Sequence, residues 1–517
     1  MSTNAAAGVL SPRGAAKDSK HYEFAEPLSL HPVTNEYTDR LARHLPEAWS
    51  THRDGVWVHA HPRADGEAPS PRTQGFKVHL SAAPQCAGKI LDLTVPICVD
   101  HRVQFKIIGD PTLHAMLDSK RQPRGYSGKF MTIYPPDDDT FVDLIEHVHN
   151  GTRNTGMVGP RILSDRQYKD NPIVYYRYGG FRPPRRATID GTQATYLVSP
   201  SGELVVDERL PYFRLPSWVN DPFETRPPKE EEDDEESDGI LLGDRYLVRD
   251  AIRFSNCGGL YRATDNRTDE TVFIKEARPS TNCWGNGNRS WDAVFFLRRE
   301  YETLQRLQDF DFIPAPLDLL EESDHLFLVE EHLAGSNMRK YWAREDVILA
   351  PYIRRPGRIE GWTAKFETVA AKLINMVRAV HRRGVLLGDL SPDNVLIEPD
   401  SMQIWLIDFE SSITNSDPPE IARRAAMWGT PGFMAPQRAE RALLLPEDDF
   451  YAVGMVLYYG LTAATSLFAL DPTGIERFLN EFVRLGLPIQ VACVIRSLLK
   501  GDADEALASL GGRVETP

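Results

Sequence analysis

The sequence predicts an α+β protein of two domains, and three observations predict it. The chain has 517 residues, too many for a single ordinary core. A run of eight acids and one lysine, Lys229 to Asp238, breaks it near the middle. Before that run, short β-branched stretches alternate with helical ones; after it, strands come first and helices last.

The N-terminal stretch, residues 1–20, is rich in Ala, Ser and Gly and lacks the apolar core of a signal peptide, so it reads as a disordered tail of a cytoplasmic protein. No run of eighteen apolar residues predicts a membrane span. Hydrophobic residues at 41% and charged ones at 26% are ordinary for globular protein. Five scattered cysteines without a C-x-x-C pair argue against a disulfide framework and against structural zinc. The net charge of −15 excludes a basic nucleic-acid surface as the general design.

Residues 21–225 form the first expected domain. Its strands include Phe76–Ser81, Phe130–Tyr134, Ile173–Tyr178 and Glu203–Val206, and Phe141–His149 reads as a helix. In Phe76–Ser81 the period of two puts Lys77 and His79 on one face and Phe76, Val78 and Leu80 on the other. That pair suits an anion, although an exposed edge strand would look the same. Further cations sit in apolar settings: Lys106, Arg124, Lys129, Arg161 and Arg177. Such cations keep their stems buried and need an anionic partner, so together they would suit a phosphate.

Residues 226–242 read as a solvated acidic linker rather than a docking site for a basic peptide. Residues 243–517 follow. Gly384–Ile397 contains Asp389 and Asn394, and Ile404–Glu410 contains Asp408. Phosphoryl transfer needs this set: one carboxylate to orient the attacking hydroxyl, and an amide with a second carboxylate to hold magnesium. Upstream, the strand Thr271–Lys275 ends in a lysine placed to reach nucleotide phosphates. Its glutamate partner is expected at Glu300, on the face of Phe296, Leu304 and Leu307, rather than at Glu302. Gly258 and Gly259, one strand earlier, would cover the phosphates. Gly429–Gln437 and Asp449–Gly454 complete the series. In order and spacing these motifs resemble the protein kinase family, which implies a bilobal fold, ATP or another NTP, and Mg2+. Three departures stand out: Leu387-Gly388-Asp389 in place of His-Arg-Asp, Ser391 in place of a lysine, and Glu410 in place of a glycine. Without the arginine, control by activation-loop phosphorylation is not expected.

Taken together, Phe76–Ala82, Ser127–Pro135, Gly159–Arg166, Tyr175–Phe181 and Phe213–Phe223, followed by the kinase motifs, resemble class III lanthipeptide synthetases over roughly residues 21–460. The resemblance implies an N-terminal phosphothreonine-lyase-like domain that acts on the kinase's product. It implies Lys106 as elimination base, with Lys120 and Lys129 as open alternatives, and His79 as the acid. Lys77, Arg124, Lys129, Arg161 and Arg177 would hold the phosphate, with Tyr134 lining the site. It also implies a precursor peptide with a leader as partner, and leaves room for a homo-oligomer. The family's third part, a cyclase, is expected as a separate protein or as a portion missing here, and the kinase C-lobe could be incomplete.

Two other functions remain open at this point. A regulatory Ser/Thr kinase with an N-terminal phosphopeptide-binding module would use the same cations, but would not need the lysine–histidine pair for chemistry. A pseudokinase scaffold would not need Lys275, Asp389, Asn394 and Asp408 together.

Overall fold

The computed structural model describes residues 34–63, 72–120, 122, 124–187, 193–208, 210–224, 239–286, 289–345, 358–462, 471 and 473–511. The expected tail, and the acidic linker up to residue 238, lie outside them. The chain divides into two compact units, Met1–Phe295 with Leu320–Phe327 and Phe296–Leu319 with Leu328–Pro517. Among the described residues no helix is long and apolar enough to cross a membrane.

The first unit opens with α1 (Glu36–His44), β1 (Trp49–Asp54), β2 (Trp57–Pro62), β3 (Gln74–Leu80) and α2 (Pro84–Asp100). Then come β4 (Phe105–Ile108), α3 (Pro111–Asp118), β5 (Met131–Ile133), α4 (Asp138–Thr152), β6 (Arg166–Gln167) and β7 (Val174–Gly180). The seven strands form one antiparallel sheet in the order β1-β2-β4-β5-β3-β7-β6. Its two faces differ sharply. Phe76, Val78 and Leu80 of β3, with Phe105, Ile107, Met131, Ile133 and Tyr176, join α2 and α4 in a single core.

Local chemistry places the covering helices. α4 is started by Asp137, whose carboxylate accepts from Thr140 N at 2.7 Å. Its Phe141, Leu144, Ile145 and Val148 recur at helical spacing and are fully buried, with Phe141 stacked on Phe76 at 4.9 Å. α3 is capped in the same way by Asp110, which accepts from Leu113 N at 3.0 Å. A small sheet of β8 (Arg185–Ala187), β9 (Gln193–Val198) and β10 (Leu204–Val206) follows.

The same unit continues past the acidic run. β11 (Ile240–Leu242), β12 (Tyr246–Ser255), β13 (Gly258–Asp265) and β14 (Thr271–Ala277) pair in sequence as antiparallel neighbours, and β15 (Trp284–Asn286) with β16 (Arg289–Trp291) makes a hairpin. Residues 320–327, the tip between β17 (Pro316–Glu322) and β18 (His325–Glu331), complete the unit.

The second unit holds most of α5 (Ala293–Leu307), then β19 (Ser336–Asn337), α6 (Met338–Glu345), α7 (Arg358–Arg382), β20 (Val385–Leu386), β21 (Val395–Glu398), β22 (Gln403–Leu406) and β23 (Ile413–Thr414). α8 (Pro419–Met427), α9 (Arg438–Arg441), α10 (Pro446–Tyr459), α11 (Thr473–Arg484), α12 (Ile489–Leu499) and α13 (Ala503–Ser509) follow. α7 buries Phe366, Val369, Ala370, Leu373, Ile374, Val377 and Val380, a stripe of helical period. Strands before the middle and helices after it fit the α+β, bilobal expectation.

Candidate active sites

Register alone assembles the cationic face of the first sheet. His59 pairs with Lys106, Lys106 with Thr132, Thr132 with His79, and His79 with Tyr175. Residues opposite each other in a ladder share a face, so one row crosses five strands. Two strand spacings separate the backbones of Lys106 and His79, about 9–10 Å with Thr132 between them. Two residues along the same face, Lys77 pairs with Arg177. Both cations reach over Gly179, where a β-carbon would lie 3.3 Å from each.

Each group has a definite setting. His79 is buried and its Nδ1 bonds the Asp165 carboxylate. Ser164 Oγ donates to the other Asp165 oxygen at 2.7 Å, and Lys129 Nζ lies 3.5 Å from it. Burial pushes the His79 imidazole below its usual range, against the pull of Asp165. Burial opposes the Asp165 charge too, but Lys129, His79 and Arg177 outweigh it and hold the carboxyl well below the usual range. Arg177 pairs with Asp207, which also accepts from Gly180 N at 3.2 Å. Lys77 Nζ lies 5.9 Å from the rings of Tyr134 and Phe181. Burial and then the Arg177 charge push Lys77 down to about 7. Lys106 Nζ sits 4.1 Å over the Trp57 ring, and burial followed by the Lys106 charge lowers His59.

Thus Lys77, His79, Lys106, Lys129, Tyr134 and Arg177 gather on one side of the sheet. Arg124 and Arg161 are placed differently. Arg124 donates to Glu276 Oε1 at 3.1 Å and stacks 4.9 Å over Phe254. Arg161 has an exposed side chain, and its carbonyl accepts from Arg278. Asp165 and Asp207 are the members that sequence reasoning did not single out.

The phosphoryl-transfer motifs fall in both units. In the first, the turn at Asn256 and Cys257 joins β12 to β13, with Ser255 opposite Gly258. Gly258 has to lack a side chain, because a β-carbon there would lie 1.9 Å from the Glu276 carbonyl oxygen. Lys275 stands opposite Leu260 on the adjacent strand.

In the second unit, Glu300 is buried on α5, while Glu302 is exposed. Glu300 Oε1 accepts from Phe409 N at 2.8 Å, which ties α5 to the Asp408-Phe409-Glu410 turn. Asp408 itself has φ of 63°, a left-handed backbone uncommon for a residue other than glycine. Asp389 Oδ1 accepts from Thr430 N at 2.8 Å, and Asn394 Nδ2 donates to the Asp389 carbonyl at 2.8 Å. The buried Asp449 carboxylate accepts from Leu387 N (2.8 Å), Gly388 N (3.0 Å) and the His381 ring (2.8 Å). Gly388 has φ of 77°, and a β-carbon there would meet the Ser411 carbonyl oxygen at 2.6 Å. A side chain at this position would require the loop backbone to shift.

Comparison with known proteins agrees with this layout. Residues 37–235 match the family model "RamC, N-terminal domain", and residues 254–484 match "Protein kinase domain". The "Probable SapB synthase" of Streptomyces coelicolor is 34% identical over 429 residues, covering 83% of this chain and 43% of that protein. The serine/threonine-protein kinase pkn3 of Myxococcus xanthus is 27% identical over 44% of this chain and 40% of its own length. The DNA damage-responsive kinase RqkA of Deinococcus radiodurans is 28% identical over 43% of this chain and 30% of its own. The chain therefore spans less than half the length of these relatives. A protein kinase domain implies a nucleotide and a divalent metal ion. The chain thus carries a match to a RamC N-terminal domain followed by a match to a protein kinase domain, the order its resemblance to class III lanthipeptide synthetases implied.

Proposed function

We propose that the chain is a two-step peptide dehydratase of lanthipeptide biosynthesis in the cytoplasm, phosphorylating Ser/Thr of a leader-bearing precursor and then eliminating the phosphate. The observation that carries the reading is the sheet face holding Lys106 and His79 across Thr132, with the Lys77–Arg177 pair beside them. A module that only bound phosphopeptide would not need a histidine buried against Asp165.

In the first step Asp389, steadied by Thr430 N, orients the substrate hydroxyl and accepts its proton as the oxygen bonds the γ-phosphorus. The bond to the departing nucleoside diphosphate breaks. Gly258, Gly259 and Lys275 would bind the nucleotide phosphates, and Glu300 holds the Phe409 N–H beside Asp408. ATP is the expected donor. Asn394 spends its amide N–H on the Asp389 carbonyl and so offers its oxygen; with the Asp408 carboxylate this is a hard, all-oxygen set that fits Mg2+. Bound there, the ion would neutralise phosphate charge.

In the second step Lys106 takes the Cα proton, the Cα–Cβ double bond forms, and the Cβ–O bond breaks. The phosphate leaves with a proton from His79. Asp165 orients His79, and the incoming dianion favours the protonated imidazole that burial disfavours. Lys77, Lys129 and Arg177 hold the phosphate oxygens, with Tyr134 lining the site; Arg124, paired with Glu276, and the exposed Arg161 stand apart from them. The product is dehydroalanine or dehydrobutyrine. One chain holding both sites raises the phosphopeptide's effective concentration at the second.

Lys106→Ala and His79→Ala test the assignment. Either variant, given peptide, ATP and Mg2+, accumulates phosphorylated peptide; normal dehydration in both would sink it.

A further inference from the structure

Arg278 follows β14 in the kinase sequence, yet its guanidinium also reaches Ser127 and Arg161 of the domain before it. It is 1% exposed, the largest of the fully buried side chains among the described residues. One terminal nitrogen donates to the Arg161 carbonyl; the other donates to Ser127 Oγ at 3.3 Å and to the Asn256 carbonyl at 2.8 Å. Its backbone N–H bonds the Cys257 carbonyl at 2.7 Å. All these residues belong to the first compact unit.

What it grips matters. Ser127 lies two residues before Lys129, and Arg161 lies four before Asp165, the partner of His79. The two segments already lock on each other: Gly128 has φ of 76°, and a β-carbon there would sit 2.6 Å from the Pro160 carbonyl oxygen. Ser81 Oγ, two residues beyond His79, donates to that same oxygen at 2.6 Å. Beside Arg278, Glu276 accepts from Arg124 at 3.1 Å, from Tyr261 at 2.6 Å and from the His325 ring at 2.6 Å. Two charges of one strand end therefore reach into residues 124–129. A buried guanidinium is costly unless its donors are engaged; here both terminal nitrogens are engaged, by Ser127, Asn256 and Arg161, while the Nε has no partner among the described residues.

We propose that Arg278 is a positioning residue for elimination: it fixes the segments carrying Lys129 and Asp165 and ties them to the nucleotide-covering turn at Asn256 and Cys257. The inference rests on the dehydratase reading. It makes the strands of the kinase domain a working part of the lyase, so that the first domain alone lacks a support its chemistry uses.

The test uses the full chain and a synthetic phosphoserine peptide, so phosphorylation does not enter. Arg278→Lys keeps a charge but loses the fork, and lowers the kcat of phosphate release about 10- to 100-fold, the usual cost of misplacing reacting groups by an ångström. KM stays within about twofold, since the groups that touch phosphate remain. Arg278→Gly is rescued in part by added guanidinium. Ser127→Ala, a milder change that keeps the fold, lowers kcat several-fold. An unchanged kcat in folded Arg278→Lys overturns the proposal. So does a loss that tracks melting temperature without guanidinium rescue. If the arginine variants fail to fold, Ser127→Ala decides, and an unchanged kcat overturns it. Wild-type chain that releases no phosphate refutes the dehydratase reading itself, and this inference with it.

Discussion

Lys77 gives the sharpest test of how the phosphate is held. It faces Arg177 across the β3–β7 ladder, and burial with that neighbouring charge brings it down to about 7. A lysine that holds a phosphate dianion must be protonated in the free enzyme. Its pKa is depressed, so the cation is fully present below about 7 and is lost as pH rises through that value. The kcat/KM for a phosphoserine peptide reports the free enzyme. It should fall above about pH 7, by up to about tenfold per pH unit, and level off near the activity of Lys77→Ala. Lys77→Arg, always charged, removes that descending limb below pH 9. Lys77→Ala forfeits a charge-assisted bond of about 1.5–3 kcal/mol, roughly 10- to 150-fold in kcat/KM. Phosphate release across pH 6 to 9 measures all three. An activity that instead rises through pH 7, with the rise abolished in Lys77→Ala, would make Lys77 the elimination base and refute the assignment of Lys106.

Other outcomes follow from the same geometry. Asp165→Asn leaves His79 without its carboxylate and lowers the kcat of elimination by about 10²- to 10⁴-fold, as for a mis-set histidine tautomer; a change under threefold in phosphate release would contradict this. Gly388→Ala forces a β-carbon against the Ser411 carbonyl in a left-handed backbone, a strain of about 1–3 kcal/mol, and slows phosphorylation, which radiolabel transfer to peptide measures. Glu276 is held down to about 2: burial opposes its charge, but the His325 hydrogen bond and the Arg124 charge outweigh it. Its contribution, about 2–3 kcal/mol at most, is present above about pH 4.3 and is lost as pH falls through about 2. Urea unfolding of Glu276→Gln against wild type should show that gap at pH 7 and a smaller one toward pH 2.

The α+β layout and the two-faced strand at Phe76–Ser81 were legible because a period of two leaves no freedom in which side chains share a face. Lys77, His79, Lys106 and Arg177 therefore come together through register alone. The helix face of Glu300 was legible for the same reason, with a different period. What lay hidden depends on partners distant in sequence. Asp165 is 86 residues from His79, and Asp207 is 30 from Arg177. No spacing rule links such pairs; only the closed fold does. The meeting of Arg124 with Glu276 joins residues 152 apart, on either side of the acidic run. That run reads as a separator because its charges cannot be buried, yet chain on both sides of it belongs to one compact unit. Gly388 could be seen as a departure in the sequence, but its close approach to the Ser411 carbonyl appears only in three dimensions.

The central claim is that phosphopeptide is an intermediate and not a product. Intact-mass readings over time, on wild-type chain with a Ser/Thr-containing precursor peptide, ATP and Mg2+, test it most directly. The account predicts a transient gain of phosphate followed by loss of one water per modified residue. A phosphorylated peptide that accumulates and stays would contradict it.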